Sequence, residues 1–269
     1  MSYESLYLER SGHVAVLTLN RPEKLNAFDR RLTAEFHRAL DEVTADFPDT
    51  RVLVLTGEGR GFCSGADVSH LAGNLSSSGN RASGTQESEV AFNESILTVG
   101  PHIQRIPQPV VAAINGVAAG AGLSIALACD IRIASEQARF SSIFIKRSLV
   151  PDNGISHTLP AIAGMGVALE MALTGRLYDA QWALRAGLAN MVVSAERLME
   201  EAKALAVEIA SNPPLAVRAT KQLMNSHMPD LYRVARLEDE ANAPASDSED
   251  RREAVLSFME KREPSYEGR

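Results

Sequence analysis

Cysteine is scarce in this chain: Cys63 and Cys129 are the only two, each inside an apolar or glycine-rich run. That excludes a disulfide scaffold and fits a reducing compartment, with both thiols read as small buried hydrophobes. No apolar run approaches the roughly 20 residues a membrane helix needs. The opening Met-Ser-Tyr-Glu-Ser lacks the basic-then-apolar profile of a signal peptide. The expectation is a cytoplasmic protein with no membrane partner. Basic residues are not in excess either, and a net charge of −7 argues against a nucleic-acid partner. There is no GxGxxG after a strand, no P-loop, no paired CxxC and no metal-spaced histidine cluster, so neither a bound cofactor nor a metal is expected. The histidines at 13, 37, 70, 102, 157 and 227 are scattered and read as surface or incidental residues, only His157 lying near candidate chemistry. Aromatic residues make up just 5%. What remains is ordinary for a globular protein, 45% hydrophobic and 23% charged over 269 residues, enough for a full core.

Against that background Gly116-Val117-Ala118-Ala119-Gly120-Ala121-Gly122 stands out between two apolar runs. Val110 to Ile114 reads as a buried strand, being short, apolar and partly β-branched, and Leu123 to Cys129 as a helix of small apolar residues closed by Asp130. A strand passing through a Gly/Ala turn into a helix leaves amides unpaired at the positive end of the helix dipole, where a negative oxygen is favoured. Tight packing of helix on sheet would select the same small residues. A second glycine-rich stretch, Gly57 to Asp67, follows another buried strand, Val52 to Thr56. Two such turns aiming one N–H each into a pocket, at Ala66 and Ala121, make an oxyanion hole for an enolate or tetrahedral intermediate.

The remaining chain reads in order. His13 to Leu19 alternates as a strand, and Asn20 to Ala27 is a polar turn with Pro22 blocking continuation. Asp29 caps a helix whose inner face is Leu32, Phe36, Leu40 and Val43. Residues 72–95 turn Ser-, Gly- and Asn-rich, a surface loop or marginal helix. Ile131 to Ala134 is a short strand, Ile155 to Ala163 a helix, and Asp179 caps a helix ended by Gly187. From Ser194 onward nearly everything is helical, with breaks at Pro213-Pro214, Pro229 and Pro244. Asp152 lies near Phe144, Ile145, Leu149 and Val150. Apolar surroundings raise a carboxyl pKa and make a better base; a turn or capping role is the plainer alternative.

Taken in order and spacing, these stretches resemble the enoyl-CoA hydratase/isomerase, or crotonase, superfamily over roughly Val14 to Lys261. The blocks that carry the resemblance are Asn20-Arg21-Pro22-Glu23-Lys24-Leu25-Asn26-Ala27, Gly61-Phe62-Cys63-Ser64-Gly65-Ala66-Asp67, and Ala113 to Ala118 continuing through Cys129-Asp130-Ile131. Leu173-Thr174-Gly175 to Gly187-Leu188 and Phe258-Met259-Glu260-Lys261-Arg262 add to it. The resemblance implies an α/β spiral of ββα units over residues 1–194, carrying the CoA and catalytic sites. Residues 195–269 would form a helical oligomerisation region building a homotrimer or hexamer. It further implies an acyl-CoA thioester partner, with oxyanion amides from Ala66 and Ala121. CoA and acyl contacts fall to Lys24, Leu25, Ala27, Ala66, Asp67, Val68, Gly120, Ser124 and Phe144.

The departures carry the chemistry. Position 121 is usually glycine in the family, and alanine narrows the approach to its amide. Family hydratases use two glutamates, and the matching positions here are Ser124 and Phe144, neither able to exchange a proton as a carboxylate does. Asp152 instead matches an acidic residue of family enoyl-CoA isomerases and phenylacetyl-CoA epoxide isomerases, within Leu149-Val150-Pro151-Asp152-Asn153-Gly154. A 1,3-proton shift needs one base only. The reading is an enoyl-CoA isomerase with catalytic residues Asp152, Ala66 and Ala121. Its alternatives are a hydratase-like lyase with non-standard residues, a dehalogenase using the aspartate as nucleophile, and a catalytically silent acyl-CoA-binding protein.

Overall fold

The computed structural model describes residues 3–67, 92, 94–226, 229–246 and 248–267. Val68 and most of 72–95 lie outside them. The chain opens as a hairpin: β1 (Leu6–Ser11) and β2 (Val14–Leu19) pair antiparallel around Gly12, whose φ of 57° suits a residue without Cβ. A tight 3₁₀ turn, Pro22–Lys24, follows, and α1 (Arg30–Ala45) starts where Asp29 accepts the Leu32 N–H at 2.8 Å. That cap contributes about 1 kcal/mol. Burying Leu32, Phe36, Leu40 and Val43 contributes about 1.5–3 kcal/mol each, so the apolar face holds the helix more than the cap does.

Each further turn of chain then lays down one longer and one shorter strand. β3 (Val52–Gly57) is followed by β4 (Gly61–Cys63) and, after residues outside the described set, by α2 (Val99–Arg105). β5 (Val110–Ile114) is followed by β6 (Val117–Ala119) and α3 (Ala121–Ala128). β7 (Ile131–Ser135) and β8 (Arg139–Ser141) lead through a 3₁₀ turn at Ile143–Arg147 into α4 (Ile155–Ala163) and α5 (Met165–Thr174). A short β9 (Tyr178–Asp179), α6 (Ala180–Arg185) and β10 (Met191–Val193) complete the winding. The chain ends in α7 (Leu198–Ala210), α8 (Pro214–Asn225), α9 (Leu231–Ser246) and α10 (Glu249–Glu260).

The longer strands form one sheet in the order β1-β2-β3-β5-β7-β10, parallel beyond the hairpin, with Val16 beside Val54 and Ala113 beside Ile133. The shorter strands form a second sheet, β4-β6-β8-β9, parallel except at β9. Longer strands therefore stack on one sheet and shorter ones on the other, which is the α/β spiral of ββα units. Both faces of the larger sheet are covered: Leu17, Leu53 and Ala112 join the main core, while Val16, Val54, Val111 and Ile133 meet Leu198, Ala202 and Ala206 of α7. Double coverage explains why these strands read as unbroken apolar runs.

Two sequence expectations change. The Gly116–Gly122 stretch is not one turn, because Val117–Ala119 pairs with β4 and β8 and only Gly120 separates it from α3. Pro244 does not break a helix; α9 continues to Ser246, so the proline sits in a final turn already near its end. Among the described residues no helix is long and apolar enough to cross a membrane.

Candidate active site

The two glycine-rich turns meet. A Cβ built on Gly65 (φ 102°) would lie 3.0 Å from the Ala119 carbonyl oxygen and 3.4 Å from the Ala121 nitrogen. Around Ala66 the backbone is already satisfied on both sides, since Phe28 donates to the Gly65 carbonyl at 2.8 Å and Asp67 donates to the Phe28 carbonyl at 2.9 Å. The Ala66 N–H points away from that ladder and has no acceptor among the described residues. In α3 the amides of Leu123 and Ser124 return to the Gly120 carbonyl at 2.9 and 3.1 Å. Those of Ala121 and Gly122 have no acceptor among the described residues. Ala66 is exposed and Ala121 is buried. Unpaired amides at a helix start beside a second unpaired amide are the donors an oxyanion requires.

The polar turn before α1 is locked to the same region. Leu25 and Asn26 both take left-handed φ values, 50° and 57°. The Asn26 amide donates to the carbonyls of Gly61 at 2.7 Å and Glu58 at 3.0 Å. Ser64 donates its backbone N–H to Leu25 at 3.0 Å and its hydroxyl to the Lys24 carbonyl at 3.2 Å. Lys24 is exposed, Leu25 half-buried and Ala27 buried. Asp67 is placed differently: its carboxylate meets Arg21 at 3.0 Å, and Arg21 also reaches Asp29 at 3.2 Å. Its side chain ties the two loops together.

Asp152 reaches the turns through α3. Ser124 is fully buried and donates its hydroxyl to the Gly120 carbonyl at 3.3 Å and to the Asp152 backbone carbonyl at 3.0 Å. Phe144 is buried beneath Gly120, 3.9 Å from where a Cβ on that glycine would stand. Asp152 Oδ1 is sealed from solvent without a hydrogen-bond partner, the only carboxylate oxygen so placed among the described residues. Burial, reinforced by the nearby Glu238 carboxylate, pushes the Asp152 pKa up to about 7.

The segment carrying Asp152 is held by side chains that the sequence reading did not single out. Asn153 (φ 64°) accepts the Gly100 N–H at 2.7 Å and donates to the Ile96 carbonyl. Gly100 has to lack a Cβ because Asn153's own carbonyl would stand 2.6 Å from it. Glu238, from α9, accepts the Gly154 and Ser156 amides at 2.7 and 2.8 Å, and Asn242 accepts the Val150 amide at 3.2 Å. A signal for the last two existed. Leu231, Ala235, Glu238 and Asn242 are spaced 4, 3 and 4 apart and all are buried, so two polar residues occupy the inner stripe of a helix.

His37 and His102 also depart from expectation. Rather than incidental surface residues they form a stacked pair, rings 5.2 Å apart, Nδ1 to Nδ1 at 2.9 Å, with His37 Nε2 donating to the Ser95 carbonyl at 3.0 Å. Both cysteines are buried and unpaired, and burial pushes each thiol up to about 12. Among the described residues no three His, Cys, Asp or Glu side chains gather as a metal site.

Comparison with known proteins places this geometry. Residues 9–269 match the family model described as Enoyl-CoA hydratase/isomerase. The chain is 39% identical to the (E)-benzylidenesuccinyl-CoA hydratase of Thauera aromatica, over 97% of this chain and 98% of that one. It is 38% identical to the 1,2-epoxyphenylacetyl-CoA isomerase of Escherichia coli, over 95% of each. The crystal structure of an enoyl-CoA hydratase/isomerase from Pseudoalteromonas atlantica superposes with a TM-score of 0.84 at 31% identity, covering 98% of this chain and all of that one. With the spiral, the paired glycine turns and a match over nearly its whole length, the chain belongs to the enoyl-CoA hydratase/isomerase family.

Proposed function

We propose that the protein is an isomerase of acyl-CoA thioesters that moves a double bond from C3 to C2, with Asp152 as its single base. Family membership makes the chain an acyl-CoA-acting enzyme. The single observation that carries the finer reading is Asp152 Oδ1, buried and unpartnered, with its proton affinity raised to about 7 and its backbone carbonyl tied through Ser124 to the start of α3. In this reading the thioester oxygen sits between the amides of Ala66 and Ala121. Asp152 takes a proton from C2, and the electron pair moves into the carbonyl to give a dienolate held by the two N–H groups. The same carboxylic acid returns the proton at C4, the carbonyl reforms and the double bond lies between C2 and C3. Ser124 and Phe144 have no carboxylate to deliver water, and Glu238 is tied to two amides, so none of these three offers a second proton carrier.

Hydration is the second reading, supported by the hydratase names that most of the similar proteins carry; it requires Asp152 alone to activate water. Self-association as a homotrimer or hexamer is supported by Leu215, Leu223 and Met224 of α8, exposed at 63%, 70% and 64%. Asp152→Asn keeps shape and polarity but accepts no proton. Turnover of a 3-enoyl-CoA should fall by about 10²- to 10⁴-fold while affinity changes little, since general-base catalysis has that size. An Asp152→Asn variant of full activity would rule this mechanism out. A 2-enoyl-CoA hydrated faster than a 3-enoyl-CoA is isomerised would favour the second reading.

A further inference from the structure

We propose that Glu238 is a positioning residue, which fixes the Asp152 segment from the C-terminal helix α9 and keeps a second negative charge beside the Asp152 carboxylate. The proposal rests on Asp152 being the base, but its geometry stands apart from that reading. Glu238 is buried, and its two oxygens are each engaged by one backbone amide, Gly154 at 2.7 Å and Ser156 at 2.8 Å. Both amides belong to the start of α4, where the helix dipole also favours a negative group. Asp152, two residues before Gly154, has one oxygen with no donor at all.

The two carboxylates are therefore unequal. Burial disfavours ionising either one, and it raises the proton affinity of Glu238 as well. Two N–H donors offset this for Glu238, whereas Asp152 has only its neighbour Asn153 to lower its affinity. The charge settles on Glu238, and the Coulomb repulsion falls on Asp152. From the surrounding elements, α9 adds Asp239 with the same sign, α3 offers the Ser124 hydroxyl to the backbone only, and α4 carries Ser156 and the half-buried His157. The segment before α2 contributes the Ile96 carbonyl and α2 the Gly100 amide, both taken by Asn153. No lysine or arginine among the described residues acts on Asp152. Helix α9 thus does what an apolar lid alone would do less well. It ties down the segment that carries Asp152 and places a negative charge near its carboxylate, on a residue more than 80 positions away in the chain.

The test uses the full chain labelled with ¹³C at aspartate carboxyls, the resonance missing from Asp152→Asn being that of Asp152. Wild type should titrate at about 7. In Glu238→Gln the midpoint should fall by about one pH unit, the lower end of the shift a like charge a few ångströms away produces. Glu238→Asp, which keeps the charge, should stay near wild type. A Glu238→Gln midpoint equal to wild type overturns the proposal. Should that variant fail to fold, the wild-type titration decides, because a midpoint in the ordinary aspartate range near 4 leaves no work for Glu238. The acid limb of 3-hexenoyl-CoA turnover against pH separates this from the catalytic reading. If Asp152→Asn remains active, the base assignment fails whatever the resonance does. If it is inactive and the resonance is unmoved in Glu238→Gln, only the role of Glu238 fails.

Discussion

On one side of the site, the amides at Ala66 and Ala121 are brought together by close backbone approaches: β4, β6 and the first turn of α3 meet at Gly65, Gly120 and Gly122. On the other, Asp152 hangs in a loop held by Asn153, Glu238, Asn242 and Ser124, through side-chain hydrogen bonds to distant segments. The first half has alanine at both donor positions and takes no chemistry from side chains. Its tolerance ends where a Cβ would enter the contact. The second half is made of polar side chains and two carboxylates, and its partners come from α2, α3 and α9. One half is fixed by what is absent, the other by what is charged or polar, so they should fail under different insults.

The largest effect expected from that contrast follows a methyl group added to the backbone half. In Gly122→Ala the new Cβ would run into the Cys63 carbonyl, a backbone atom that cannot rotate away. Overpacking of this kind destabilises by about 1–3 kcal/mol. Because the clash pushes α3 from β4, the Ala121 amide moves off the Ala66 turn. Losing one such donor lowers turnover by about 10²- to 10³-fold. Thermal melting and 3-enoyl-CoA kinetics measure both parts. A variant with wild-type kinetics would show that the turns need not touch.

Legibility in the sequence divides along the same line. Glycines at backbone contacts leave a local mark, so the strands at Val52 and Val110, the helix face of Leu32, Phe36, Leu40 and Val43, the cap at Asp29 and the two turns could all be read from short windows. Asp152 was legible because apolar neighbours surround it in sequence. Its supports were not, since Glu238 sits 86 positions later and Gly100 sits 52 earlier, and nothing in a local pattern pairs them. The strand at Val117–Ala119 was hidden for another reason: three small residues fit a turn as well as they fit a short strand between β4 and β8. The internal wiring of this region lay beyond the family resemblance, as Asp67 shows by pairing with Arg21.

A smaller effect should separate the halves by pH. His37 donates from Nε2 to the Ser95 carbonyl, so its Nδ1 must accept from His102 Nδ1–H, and His102 Nε2 is left 3.3 Å from Asp41. A proton could enter there, but burial and the facing His37 ring outweigh the mostly exposed Asp41, holding His102 down at about 4 and His37 also below its ordinary value. Both folded-state affinities are depressed, so protonation favours the unfolded chain. The pair's contribution is complete above about 6.5 and drains as pH falls toward 4, on the order of 1–2 kcal/mol by pH 5. Because Ser95 leads into the segment that holds Asn153, the base side should loosen first. Urea midpoints of wild type and His102→Gln at pH 7.5 and 5 check this: wild type should lose more than the variant. Equal losses would show that the pair does not titrate in folding.

The smallest effect concerns Ser124, whose side chain touches both halves. Its hydroxyl bridges the Gly120 carbonyl, below the amides, and the Asp152 carbonyl, at 3.3 and 3.0 Å. It is bonded to the Asp152 backbone and not to the carboxylate, so it has no path for a proton to or from the reacting carbon. Ser124→Ala removes the bridge and leaves the Asp152 carbonyl without that donor, which costs about 1–3 kcal/mol of stability. Turnover should fall by less than about tenfold, because a hydroxyl here can orient but does not deprotonate. The fall should lie in kcat with KM nearly unchanged, since the amides proposed to hold the thioester are left in place. A loss of a hundredfold or more would mean that the base side reaches its proton through Ser124, and that the two halves are coupled by chemistry rather than by one structural hydrogen bond.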